Sequence, residues 1–329
     1  MHIDELAPSK TTFHPRELEA AVALKPSAAG TGGFTRAFAS IAIAFACNAV
    51  AAQASLAATA PSKALLTVHA EMKERLVRNA YGRPLFLEST ETKGTISGDA
   101  YAVLDAPFET VTTAFKSPSQ WCEVMILHIN TKYCRARSDA IPSSLKVNIG
   151  KKTPQELSDT FALEFSMKLS SAGPDYLSIL LNADQGPVGT SNYRIEFEAT
   201  PLSAGKTFMH MRYSYGYGLA GRLAMQGYLA TLGSGKVGFT TTSANEKTSY
   251  VDGMRGAVER NTMRYYLAIE AYLASQDKPV PQQPSTRFEH WFDATEQYSL
   301  QLHEVDKSAY LRMKKAEYLR QAQPVPGRG

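Results

Sequence analysis

A run of strand-length segments with a period of two, opened by a strand and a helix pair and closed by one long helix, constrains this chain more than any other feature. It starts at Gly98 with GDAYAVLDAPFETVTTAF and reaches Gly216. Gly98 to Leu104 predicts the first core strand. Asp105 is read as the N-cap of a helix, with Pro107 in its first turn and Val111, Ala114 and Phe115 on its buried stripe. Ser117-Pro118-Ser119-Gln120 opens a second short helix carrying Trp121, Val124 and Met125. His128 to Arg137 predicts the next strand, and Leu145, Val147 and Ile149 alternate in the third. Three longer alternations follow, Phe161 to Leu169, Tyr193 to Phe197 and Met209 to Tyr215, with a more continuous apolar run at Leu177 to Leu181. One face of such a sheet is rich in Phe, Met and Tyr. The other carries Arg194, Glu196, Glu198, His210 and Arg212, the pattern of an antiparallel sheet with one wet face.

Gly253 to Ala274 predicts the long helix. Met254, Val258, Asn261, Tyr265, Ile269 and Tyr272 form its inner stripe, and Arg255, Glu259, Arg260 and Glu270 are expected away from it. The order implies an α+β fold, a curved antiparallel sheet wrapped around a long C-terminal helix.

The flanks divide as follows. Residues 55–97 are a lead-in, with a helix over Ser62–Asn79 and an extended piece from Leu85. Residues 216–243 hold seven glycines among Leu219, Leu223, Met225, Tyr228, Leu229 and Leu232. That stretch is too apolar for an exposed loop and too Gly-rich for a rigid helix, so it reads as a buried connection or a mobile, lid-like insertion. Residues 275–285 form a Pro-rich linker. Residues 286–329 predict an amphipathic helical tail, broken once, whose far end carries Arg312, Lys314, Lys315 and Arg320. Those cations are either a solvated face or a contact for anionic lipid or a partner.

Residues 1–54 read as a leader. Within 34–54, Arg36 precedes the small apolar run AFASIAIAFACNAVAA, and Ala52-Gln53-Ala54 fits a signal-peptidase site. The run is too short and too Ala-rich for a spanning helix. Export to the periplasm or beyond would leave two cysteines, Cys122 and Cys134, either disulfide-bonded or as two buried thiols. The net charge is +4 without a concentrated Lys/Arg run in the core, which argues against a nucleic-acid partner. Ligand spacing for a metal is absent, and so are the short motifs of hydrolases, zinc proteases and phosphate-binding loops. No cofactor and no catalytic residue are assigned.

The order of elements, with DAPFETVTTAFKSPSQWCEVM as its opening, resembles the helix-grip fold of the START-related SRPBCC superfamily. The likeness covers Gly98 to Ala274. It implies an apolar cavity between sheet and long helix that takes a lipid, sterol or polyketide, with residues 216–243 at the entrance. Candidate lining residues are Trp121 and His128 near the helix pair, Tyr133 and Arg135 on the following strand, and Met211, Tyr213 and Tyr215 on the last strand. Asn261 and Tyr265 would face them from the long helix. The chain is therefore expected to be an exported carrier or sensor of a hydrophobic molecule. An enzyme of cyclase, dehydratase or hydrolase type is the alternative, and a structural protein with a filled core is a third. Contact with membrane is expected, if anywhere, through residues 216–243 or the basic tail.

Overall fold

The computed structural model describes residues 42–230, 235–244 and 247–321. The chain divides into two units, residues 1–51 and 52–329. The expected leader lies outside the described residues, except that 42–54 form the start of helix α1 (Ala42–Val77), which continues through Pro61. Side chains of α1 are described from Ala60 onward.

The second unit contains eight strands in one antiparallel sheet. They are β1 (Leu85–Thr92), β2 (Thr95–Leu104), β3 (Thr131–Arg137), β4 (Ser144–Ile149), β5 (Phe161–Ala172), β6 (Leu177–Gln185), β7 (Thr190–Pro201) and β8 (Thr207–Tyr217). Their order across the sheet is β1-β2-β8-β7-β6-β5-β4-β3. Helices α2 (Phe108–Phe115) and α3 (Pro118–Met125) make the crossing from β2 to the far edge at β3. Helix α4 (Leu219–Ala230) and the hairpin β9 (Thr241–Ala244) and β10 (Lys247–Tyr250) follow β8. Helix α5 (Gly253–Ala274) then packs on β1, β2 and β8. This is the helix-grip arrangement. Register shifts in β3, β5 and β7 mark bulges, which bend strands and let a sheet turn around a helix.

The inner face follows the period of two. Leu145 and Val147, Leu163 and Phe165, Ile195 and Phe197, and Met209 and Met211 all belong to one core with Val111, Phe115 and Trp121. Each such fully buried side chain contributes about 1.5–3 kcal/mol of transfer free energy. Sheet and helix approach closely at Gly98, where an added Cβ would sit 2.3 Å from the Thr262 hydroxyl on α5.

Several expectations are corrected. The sheet has β1 as an extra edge strand, because Leu85 and Leu87 are fully buried and pair along β2. Asp105 does not cap α2. Pro107 holds that position, and the Asp105 side chain is almost wholly exposed near Lys206. In α3 the Gln120 side chain does return to the Ser117 N–H, at 3.1 Å. The tail forms three pieces, α6 (Gln283–Glu296), α7 (Ser299–Leu302) and α8 (Lys307–Gln321), so it breaks twice, and α6 begins inside the expected linker. The tail also folds back on the domain, α6 against α5 and α8 against β3. Glu259 and Arg260, expected on the wet side of α5, are buried, bonded to Ser89 of β1 and to the Val237–Thr240 segment. Lys314 is buried too, bonded to Glu317 on α8 and to backbone carbonyls beside β3, so it cannot serve a lipid surface.

Candidate functional site

His128 sits in the turn between α3 and β3. The turn forms because α3 ends on Ile126 and the chain closes tight backbone bonds, His128 N–H to Met125 and Thr131 N–H to the His128 carbonyl. The imidazole Nδ1 accepts the Asn130 N–H at 3.2 Å, which leaves the proton on Nε2. Nε2 is buried and meets no hydrogen-bond partner. Burial pushes the His128 pKa far down, and the charges of Arg264 and Lys314 add to that. Asn261 approaches the ring and works the other way, without hydrogen-bond geometry to Nε2. His128 is therefore a neutral imidazole near neutral pH.

Its ring stacks on Tyr265 of α5, centroids 4.9 Å apart. Tyr265 contacts Tyr213 at 5.4 Å, and Tyr213 contacts Tyr215 at 5.8 Å. Tyr193 of β7, not singled out from sequence as a site residue, stacks on Tyr215 at 5.2 Å. Its hydroxyl shares a 2.9 Å bond with Thr190. Burial raises the hydroxyl pKa of Tyr193, Tyr213, Tyr215 and Tyr265. The cluster thus offers aromatic faces, phenol groups and a neutral imidazole.

The other expected residues separate into two groups. Trp121 and Met211 are fully buried in the core. The Trp121 indole N–H donates to the Phe115 carbonyl at 2.8 Å and its ring packs on Phe197. Asn261 is half-buried on α5 and accepts from Arg264 at 3.4 Å. On β3, Cys134 and Ala136 pair with the core residues Val147 and Leu145, so Tyr133 and Arg135 point to the opposite face. Tyr133 is buried there, its hydroxyl without a partner, while Arg135 is exposed and does not reach the interior. The β-bulge between Thr131 and Tyr133 breaks the expected alternation at that point. Cys122 and Cys134 form a disulfide with Cα atoms 5.2 Å apart, tying α3 to β3.

Side chains occupy the space between sheet and α5. Phe197 and Met211 meet Trp121, Val258, Tyr266 and Leu267 in one core. Two clefts lie elsewhere. One of about 330 Å³ runs between Leu104–Ala106, the second half of α5 and Ala294 of α6. Another of about 460 Å³ follows Ala70–Arg78 of α1.

The Gly-rich insertion is anchored on its returning side. Buried Glu259 accepts the Phe239 and Thr240 N–H groups at 2.6 and 2.9 Å and the Ser89 hydroxyl at 2.6 Å. Gly238 fits there because a Cβ would meet Glu259 at 2.6 Å. Residues 231–234, with Leu232, lie outside the described residues, as do the side chains of Tyr228 and Leu229. On α4, Leu219 and Leu223 are exposed one turn apart, next to exposed Val188.

Sequence reasoning missed a charged group beside His128. Lys152, Lys236 and Arg264 surround Glu304 of the tail, and no motif announces it, since the four residues come from separate segments. Among the described residues, no three His, Cys, Asp or Glu side chains converge to hold a metal ion. Among them also, no helix is long and apolar enough to cross a membrane.

No family model and no curated protein matches the chain. Solved structures do. A START superfamily protein from Mycobacterium smegmatis is 16% identical over 39% of this chain and 79% of its own, with a TM-score of 0.27. Ara h 8.0201 is 10% identical over 56% and 100%, with a TM-score of 0.34. The human StarD13 (DLC2) lipid transfer and protein localization domain is 10% identical over 49% and 88%, with a TM-score of 0.32. At those scores the fold assignment stands on the strand order and on the placement of α5, which are those of a helix-grip protein.

Proposed function

We propose that the chain binds a small hydrophobic molecule between the inner sheet face and α5, against Tyr193, Tyr213, Tyr215 and Tyr265, as a carrier or sensor. The supporting observation is the buried His128 Nε2–H, which has no partner and lies beside this tyrosine cluster. A buried donor left unpaired costs about 1–3 kcal/mol, so a ligand acceptor there would be favoured. Because side chains fill the interior, entry requires the segment after β8 to move and the tyrosine rings to turn aside. The exposed Leu219–Leu223 face of α4 supports a brief membrane contact during that exchange. Export to an oxidising compartment belongs to the same proposal, supported by the Cys122–Cys134 bond.

A filled-core structural role is the second reading, favoured by the dense packing of Trp121, Phe197 and Met211. The enzymatic alternative draws less support, because the cluster holds groups pushed toward neutrality rather than a poised acid and base. Native mass spectrometry of the protein purified from its own cells, with solvent extraction, tests the proposal. A co-purifying apolar molecule and an N-terminus near residue 55 are expected. An empty protein that takes up no lipid from vesicles favours the filled core.

A further inference from the structure

The outer face of the sheet at its β3 edge carries more positive charge than it pairs. Strand register lays Arg135 directly opposite Lys146, and Lys146 opposite Glu164. Arg137 follows Arg135 on that face, opposite Ser144, and Lys168 lies two residues beyond Ser166, the β5 partner of Ser144. Arg135, Arg137, Lys146 and Lys168 are all exposed. Strands about 4.8 Å apart, with a step of about 6.6 Å between alternate residues, place each cation within about 12 Å of the next. Glu164 is the acid among them, and it is taken by Arg137 at 3.7 Å and by the Ser144 hydroxyl at 3.2 Å. Arg135, Lys146 and Lys168 form no ion pair among the described residues.

Beside this patch the β3–β4 turn ends in apolar side chains. It closes with the Ala140 N–H on the Arg137 carbonyl at 3.4 Å and the Ser143 hydroxyl on the Ser138 carbonyl at 3.5 Å. Ile141 at its tip is fully exposed, and Pro142 is exposed as well. The Ser143 carbonyl takes the Met167 N–H at 2.7 Å, which brings exposed Leu169 of β5 to the same end. Asp139 is the acid of the turn, so four cations stand against Asp139 and Glu164. The chain beyond Gln321, whose side chain takes the Cys134 N–H at 2.7 Å, contains Arg328 and no Asp or Glu, and so supplies no acidic side chain. The strand directions send this turn away from the end at which α4 leaves β8.

We propose that the β3–β4 hairpin and the adjoining part of β5 dock on the anionic surface of a lipid bilayer, with Arg135, Arg137, Lys146 and Lys168 against headgroup phosphates and Ile141 in the interface. The charge sets the sign of the partner. Arg135 and Lys146, directly across from each other, repel in the free protein, and a phosphate between them relieves that repulsion. The apolar tip favours lipid over a soluble polyanion, because an isoleucine bare in water gains by entering the boundary between headgroups and acyl chains. Each cation near such a surface strengthens binding about fivefold. The docking surface stands apart from the tyrosine cluster and needs no ligand there.

Vesicle co-sedimentation of the full chain tests this, with phosphatidylcholine vesicles that contain or lack phosphatidylglycerol. The variants are R135Q/K146Q/K168Q, which spares Arg137 and its bond to Glu164, I141S, and L219S/L223S on the α4 face, each checked for native circular dichroism. The expected result is binding to the anionic vesicles alone, lost in about 0.5 M NaCl. R135Q/K146Q/K168Q weakens it about 100-fold and I141S about tenfold. Equal binding to neutral and anionic vesicles, or undiminished binding by R135Q/K146Q/K168Q, overturns the proposal. A greater loss in L219S/L223S than in R135Q/K146Q/K168Q moves the contact to α4 and overturns it too. Retention of a DNA duplex without vesicle binding assigns the patch to nucleic acid and refutes the lipid surface, as does the absence of binding to either.

Discussion

Replacing Glu317 by Gln strikes the contact that holds the tail to the candidate site. Glu317 on α8 lies 3.0 Å from Lys132 Nζ and 2.8 Å from Lys314 Nζ, and all three side chains are 0–3% exposed. Lys314 also donates to the His128 and Thr131 carbonyls at 2.8 and 2.7 Å. Burial lowers the Lys314 pKa to about 8, with Glu317 opposing and Lys132 reinforcing that shift. The folded value thus lies below the ordinary one near 10.5. Between those values the unfolded chain binds more protons, so stability rises with pH there. Over the interval from pH 7 to 10 Lys314 contributes an increase of about 2 kcal/mol. Without Glu317, two buried ammonium groups lose their shared counter-charge, and removing one partner from such a group costs about 3–5 kcal/mol. Lys132→Met removes the surplus cation instead and is expected to cost less than about 1 kcal/mol. Urea unfolding at pH 7 measures both, and limited proteolysis between His303 and Asp306 shows whether α8 detaches first. A Glu317→Gln protein as stable as wild type, or Lys132→Met as damaging as Glu317→Gln, would refute the reasoning.

Further expectations concern the disulfide, the sheet–helix contact and the outer face. Cys122→Ser with Cys134→Ser, which opens a bridge between residues 12 apart, lowers the unfolding free energy by about 3 kcal/mol, and reduction of the wild type does the same in chemical denaturation. Gly98→Ala places a methyl 2.3 Å from Thr262 Oγ1 and costs about 1–3 kcal/mol; a neutral thermal melt contradicts this. His210 lies 2.8 Å from Asp99 and 3.5 Å from Glu198, and although burial opposes it, these two carboxylates raise its pKa. Its stabilising charge is present below pH 6.5 and lost as pH rises through the raised value, so His210→Gln flattens that slope in pH-dependent melts.

The fold was legible wherever periodicity was strong. The alternations around Met209–Tyr215 and Tyr193–Phe197 locate β8 and β7, and Gly253–Ala274 has the bounds of α5. The even cysteine pair pointed to a bond that the structure contains. What failed depended on contacts distant in sequence. Helical spacing places Glu259 and Arg260 outside, but the segment Val237–Thr240 covers that side of α5. On β3, Tyr133 and Arg135 share a face as strand alternation requires, but alternation alone does not say which face is inner, and it is Cys134 and Ala136 that meet the core strand residues Val147 and Leu145. Lys314 looked like part of a basic surface, because nothing local shows that a residue 186 positions after His128 returns to it. Of the residues gathered at the candidate site, Tyr213, Tyr215 and Tyr265 were named from strand and helix faces, and His128 from its place near the helix pair. Tyr193 was visible only as one member of an alternation, and Glu304 carried no local signal.

The central claim is that a hydrophobic ligand sits among the interior tyrosines. Nuclear magnetic resonance of the full chain with ring-labelled tyrosine, titrated with oleate, tests it most directly. The account predicts that the signals of Tyr193, Tyr213, Tyr215 and Tyr265 shift together and saturably, while exposed Tyr250 stays in place. Shifts confined to Tyr250 and other surface rings, with the interior set unmoved at saturation, would contradict it.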